Sequence, residues 1–152
     1  MSVLNYTTKI AAAKTIAEVQ HLLVQHGASR IAVDYTNGQP SGLTFALVTP
    51  HGARLFTLPV DVDAMHRLIV AEYRAGRLRG LSKAVAESRE QAERVAWRVI
   101  KDWLAAQLSL VQTEMVGLDQ VMLPYLHIDG ERTLYAAYRD RENVLALEGG
   151  AS

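Results

Sequence analysis

The stretch SREQAERVAWRVIKDWLAAQLSLVQTEM, Ser88 to Met115, decides how this chain is built. At about 100° per residue, Ala92, Val95, Ala96, Val99, Ile100, Trp103, Leu104, Leu110 and Val111 share one broad arc, with Trp97 and Leu108 at its edge. The opposite face carries Arg94, Arg98, Lys101, Asp102, Ser109 and Gln112. Ser88 followed three residues later by Gln91 spells a capping box, and Gly117 supplies a left-handed stop. A helix over 88–115 would be about 40 Å long at about 1.5 Å per residue. That exceeds what a small domain needs to cover its own core, so part of the helix is expected to serve a neighbouring subunit.

Upstream, Val3 to Ile10 alternates weakly and is rich in β-favouring residues, which predicts a short strand. Thr15 with Glu18 reads as a second capping box, opening a helix with Ile16, Val19, Leu22 and Leu23 on one face, closed by Gly27. Three strands follow, Arg30 to Tyr35, Leu43 to Val48 and Ala53 to Leu58, separated by Asn37-Gly38 with Pro40 and by Thr49-Pro50-His51-Gly52. Leu43, Phe45 and Leu47 are expected on one face with Leu55 and Thr57, and Ile31, Val33 and Tyr35 share a face of the first strand. Pro59 ends the third strand, Asp61 caps a helix running to Ala75, and Gly76 and Gly80 break the chain. The connector RAGRLRGLSKAVAE then leads into the long helix.

Beyond Gly117, Asp119 to Leu123 predicts one turn stopped by Pro124. Ile128-Asp129-Gly130 predicts a tight turn, and Thr133 caps a last helix through Tyr135, Tyr138 and Arg139. The order β-α-β-β-β-α-α is that of an α+β fold, an antiparallel sheet of three to four strands packed against helices. One domain is expected over 1–141, with 142–152 as a flexible C-terminal tail.

Composition fits one globular domain: 152 residues, 49% hydrophobic and 21% charged. There is no cysteine, which excludes disulfides and thiolate chemistry and agrees with a cytoplasmic location. No apolar run approaches the length of a membrane span, and MSVLNYTTKI has no leader pattern, so no membrane partner is expected. The net charge is zero but uneven. Residues 1–66 hold four basic and four acidic residues, 67–101 hold nine against four, and 102–152 hold three against eight. The central basic block could attract a phosphate backbone, and the acidic end could attract the same block on another copy.

Catalytic signals are sparse. His21, His26, His51, His66 and His127 lie on different elements and form no metal-binding pair, although His66 could pair with Asp63. Asp34, Asp61, Asp63 and Glu93 are conceivable ligands for the divalent cation of a nuclease, yet a helix cap already accounts for Asp61 and Asp63. No nucleophile elbow or phosphate loop occurs. No metal and no cofactor is expected, and an enzyme is the minority reading. Trp103, near the centre of the arc, reads as core; Trp97, beside Arg94, Arg98 and Lys101, is placed to stack on a base or plug an interface.

QAERVAWRVIKDWLAAQL, with LTFALVTPHGARLFTLPV before it and VMLPY and GERTLY after it, resembles a family of small open reading frames of bacteriophages and related mobile elements. The likeness spans Asn5 to about Tyr135 and implies a context without assigning a catalytic residue. More loosely, the β-β-β-α order with a long charged helix is similar to single-strand annealing proteins, which implies a ring-forming protein with DNA in a basic groove. The first expectation is therefore a non-enzymatic homo-oligomer binding single-stranded DNA. Arg74, Arg77, Arg79, Lys83, Arg94, Arg98 and Lys101 would contact phosphates, and Trp97 would stack. The alternative is a protein-interaction module, such as an inhibitor or accessory factor that assembles with itself or a host protein through the long helix. A metal-dependent nuclease is the third.

Overall fold

A computed structural model describes residues 3–140. The C-terminal tail expected over 142–152 lies outside the described residues. The chain runs α1 (Ala12–Gln25), β1 (Ser29–Thr36), β2 (Gln39–Thr49), β3 (Gly52–Pro59), α2 (Val62–Arg74), α3 (Lys83–Ala86), α4 (Arg89–Gln112) and α5 (Leu118–Met122). A 3₁₀ turn (Leu123–Tyr125), β4 (His127–Asp129), β5 (Arg132–Thr133) and α6 (Leu134–Asp140) complete it. This is an α+β fold, with a three-stranded antiparallel sheet in the order β1-β2-β3 and a separate two-stranded hairpin, β4-β5.

Turn chemistry sets the sheet. Asn37 and Gly38 both take positive φ, 52° and 76°, the two-residue turn whose twist matches that of paired strands. Thr49 pairs with Gly52 across Pro50 and His51, and its hydroxyl donates to the Gly52 carbonyl at 2.8 Å. That register places Phe45 opposite Phe56 and Leu43 opposite Leu58. The buried face of β3 is therefore Phe56 and Leu58, not Leu55 and Thr57, because a shift of one residue swaps every side chain between faces. Irregular pairing between Asp34 and Tyr35 likewise separates Tyr35, which is exposed, from Ile31 and Val33, which pack on the core.

Helices cover that face. α4 packs on both α1 and α2. Its buried line runs Trp97, Leu104 and Leu108, with Ala92, Val95 and Ala96 beside it, and joins the stacked Phe45 and Phe56 rings in one core. At 24 residues α4 is about 36 Å long. Along that length α4 packs within this chain on α1 and α2, with Leu110 near its end left exposed. Trp97 is fully buried, while Trp103 is half-buried and meets Tyr125 edge to face at 6.1 Å, so the two indoles exchange the places expected of them. Helical periodicity locates the apolar arc but not its deepest line, which depends on neighbours packing from several sides.

The helix ends follow local chemistry. Ser88 accepts from the Gln91 N–H and Asp61 from the Ala64 N–H, as expected of caps. α1 and α2 close on Gly27 and Gly76, each in the left-handed region and each with paired Schellman hydrogen bonds. α4 stops earlier than expected, at Glu114 with φ 63°, and Gly117 instead precedes α5.

Two expected capping boxes do other work. α1 begins at Ala12, so Thr15 and Glu18 lie inside it; the Thr15 hydroxyl accepts from Arg98 Nη1 at 3.2 Å, and the Glu18 carboxylate from the same nitrogen at 2.5 Å. The Gln91 side chain, 2% exposed, does not reach back to its own cap. It donates to the carbonyls of Tyr6 and Thr8 at 2.8 and 3.0 Å. Val3–Ala11 is therefore not a strand but a strap over the helices, bent at Asn5 (φ 61°), with the Tyr6 hydroxyl on the Arg79 carbonyl and Asn5 Nδ2 on Asp102.

Candidate interaction surface

Five of the seven cations expected to meet nucleic acid have a carboxylate beside them. The Arg77 guanidinium grips Glu72 through two hydrogen bonds of 2.5 and 2.9 Å; this contact holds the Glu72 carboxyl below its ordinary range and raises the guanidinium. Arg74 reaches Glu87 at 3.5 Å, Arg94 reaches Glu90 one helical turn back at 2.6 Å, and Lys101 stands 3.9 Å from Asp102. Arg98 turns inward to Glu18 and Thr15. Only Arg79 and Lys83, of the seven cations, are exposed with no ion pair among the described residues. Trp97 has no exposed ring to stack on a base, and its indole N–H is buried without a hydrogen-bond partner. Sequence spacing revealed the positive charges, but not the carboxylates that fold against them.

The expected metal ligands are dispersed too. Asp34 accepts from Thr44, Asp61 caps α2, and Asp63 pairs with Arg89, whose hydrogen bond holds its carboxyl below the ordinary range. Glu93 is half-buried, and burial raises its carboxyl. No three His, Asp or Glu side chains among the described residues stand close enough to share a cation. His66 does not pair with Asp63; its Nε2 meets the Glu87 carbonyl at 2.7 Å. A cleft of about 570 Å³ between the Asn37-Gly38 turn and the starts of α2 and α4 is lined by Thr36, Ser41, Asp61, Asp63 and Arg89, and there Arg89 is paired with Asp63 while Asp61 caps α2.

A different surface stands out at the C-terminal end. Pro124 fixes the 3₁₀ turn after α5, the Asp129-Gly130 turn folds β4 onto β5, and Thr133 caps α6 by accepting from the Ala136 N–H at 3.2 Å. These pieces enclose a groove of about 300 Å³ walled by Leu123, Pro124, Leu134, Tyr135 and Tyr138. Tyr135 and Tyr138 stack with centroids 6.4 Å apart, and each is about half exposed, 52% and 53%. The groove is attached to the body by the Leu126–Phe56 bridge, buried Met122, the Tyr125–Trp103 contact and a Thr57–His127 hydrogen bond of 2.6 Å.

No family model, curated protein or solved structure matches the chain. The sequence signal for the groove is two tyrosines three residues apart on a short helix, preceded by Leu-Pro-Tyr. No helix among the described residues is long and apolar enough to cross a membrane.

Proposed function

We propose that this chain is a protein-interaction module that self-associates through the C-terminal groove. The observation that carries the reading is a hollow walled by apolar and aromatic side chains, two of which are stacked, half-exposed tyrosines. Two-fold interfaces need such a self-complementary patch, and aromatic side chains are enriched in interface cores. A tyrosine side chain from a second copy fits a hollow of about 300 Å³. The patch is smaller than the ~800 Å² per partner of a standard stable interface, so association in the micromolar range is expected. This is the interaction-module alternative of the sequence reading, with the contact moved from α4 to α6. The resemblance to small phage and mobile-element proteins, and the cysteine-free composition, agree with a cytoplasmic accessory role.

Sedimentation equilibrium on the full chain tests it. The wild type should dimerise reversibly at about 100 μM, and Tyr135→Ser/Tyr138→Ser should be monomeric with an unchanged circular dichroism spectrum and melting temperature. A monomeric wild type, or a variant that still dimerises, overturns the proposal.

Single-strand DNA binding is the second reading. Arg79 and Lys83 have no ion pair among the described residues, and exposed ion pairs such as Arg74–Glu87 are worth about 0–1 kcal/mol, so a phosphate can displace the carboxylate. Fluorescence anisotropy with a single-stranded oligonucleotide at low salt separates the two. This reading requires binding that weakens steeply with salt and with Arg79→Gln/Lys83→Gln.

A further inference from the structure

The face of the sheet turned away from the helices carries a chain of hydrogen bonds that crosses three strands. Thr44 Oγ1 donates to Asp34 Oδ2 at 2.7 Å, Thr44 and Thr57 hydroxyls stand 2.8 Å apart, and Thr57 Oγ1 lies 2.6 Å from His127 Nε2. All four side chains are half-buried. Each hydroxyl has a single hydrogen, so the direction of every bond follows from the carboxylate end. Thr44 gives its hydrogen to Asp34, which accepts. Thr44 oxygen then accepts from Thr57, and Thr57, its hydrogen spent, accepts from an Nε2–H of His127.

We infer that this relay holds His127 in the Nε2–H form and presents Nδ1, whose lone pair is open, as a hydrogen-bond acceptor site for a ligand offering an O–H or N–H. The other end of the ring supports this: His127 Nδ1 has no hydrogen bond among the described residues, and it is not among the enclosed, unsatisfied atoms. Asp34, Thr44 and Thr57 are positioning residues. The arrangement follows the general rule that a working imidazole is oriented by what its second nitrogen donates to. The ring stands beside a sheet face that also exposes Leu55, and the ligand class is a polar hydrogen-bond donor. The Thr57–His127 bond also helps to fasten the groove to the body, but the ring form and its reactivity are read on His127 itself, so the test does not depend on self-association.

The relay makes a remote substitution decisive. In Thr44→Val, Thr57 loses its acceptor and is free to donate its hydrogen to His127 Nε2, which drives the ring to the Nδ1–H form. Nitrogen-15 NMR of the imidazole reads this directly: Nε2–H in the wild type, Nδ1–H in Thr44→Val, and Nε2–H again in Thr44→Ser, which keeps the hydroxyl. Diethyl pyrocarbonate gives a chemical readout. A ring nitrogen lone pair attacks its carbonyl carbon, an N–C bond forms as the C–O bond to ethyl carbonate breaks, the proton on the other ring nitrogen is lost to solvent, and ethyl carbonate takes up a proton and falls apart into carbon dioxide and ethanol. His127 should be modified at Nδ1 in the wild type and lose that reactivity in Thr44→Val, while exposed His21 and His51 react equally in both. An Nδ1–H ring in the wild type, an unchanged ring form in Thr44→Val, or an unreactive wild-type His127 overturns the inference. A Thr44→Ser variant that behaves like Thr44→Val also overturns it, because then packing rather than the hydroxyl sets the ring.

Discussion

Replacing Trp97 with phenylalanine should leave stability nearly unchanged, although Trp97 is fully buried at the centre of the core. Two opposing effects set the magnitude. Phenylalanine is smaller by roughly 40 Å³, and at about 24 cal/mol per Å³ the residual cavity costs about 1 kcal/mol, with lost transfer energy of similar size. Against this, the substitution removes an indole N–H that is enclosed without a partner, a group whose burial costs about 1–3 kcal/mol. The net change should lie within about 1 kcal/mol of zero, whereas Trp97→Ala, which empties the site, should cost about 3–5 kcal/mol. Urea denaturation followed by circular dichroism gives both values, with unchanged slopes confirming that unfolding remains two-state. A loss of about 3 kcal/mol or more in Trp97→Phe would refute the reasoning, since it would mean that the N–H makes a hydrogen bond worth keeping.

Gln91→Glu should release the N-terminal strap, because a carboxylate has no hydrogen to give the Tyr6 and Thr8 carbonyls and is buried against them. Faster amide exchange confined to residues 3–11 and the facing turn of α4 is the expected signature; unchanged exchange would show that the strap is held by other contacts. Glu93→Gln should stabilise the protein at neutral pH. Burial raises the folded-state carboxyl above its ordinary 4.5, so the native state binds the proton more readily, and stability falls as pH rises between the two values. The variant's advantage should therefore vanish below the ordinary value, where both states are protonated, and an advantage that persists in acid would contradict it. Asp63 and Glu72, held down by Arg89 and Arg77, act in the opposite sense, contributing at neutral pH and losing that contribution as pH falls through their lowered values.

Local chemistry made much of the fold legible. Asn37-Gly38, Asp61, Gly27, Gly76 and Ser88 act where short-range rules put them, because a turn or cap is decided within a few residues. What failed depended on partners distant in sequence. Thr15 and Glu18 have the spacing of a capping box, yet Arg98 claims both from 80 or more residues away. Val3–Ile10 has strand-like residues but no strand beside it; Gln91 takes up its carbonyls instead. The basic flank was visible as charge alone, and most of its charge is met by carboxylates on neighbouring turns or helices. The C-terminal groove was not anticipated, since it exists only once Pro124, the Asp129-Gly130 turn and the Thr133 cap bring two short elements together.

The N-terminal strap has a consequence for biosynthesis. Its anchoring atoms, on Arg79, Gln91 and Asp102, are made some 70 to 100 residues after the segment they hold. During vectorial synthesis residues 3–11 must therefore wait, unplaced, until residues 79–102 have left the ribosome. A nascent chain arrested before Gln91 would leave residues 3–11 without their anchors and open to proteases.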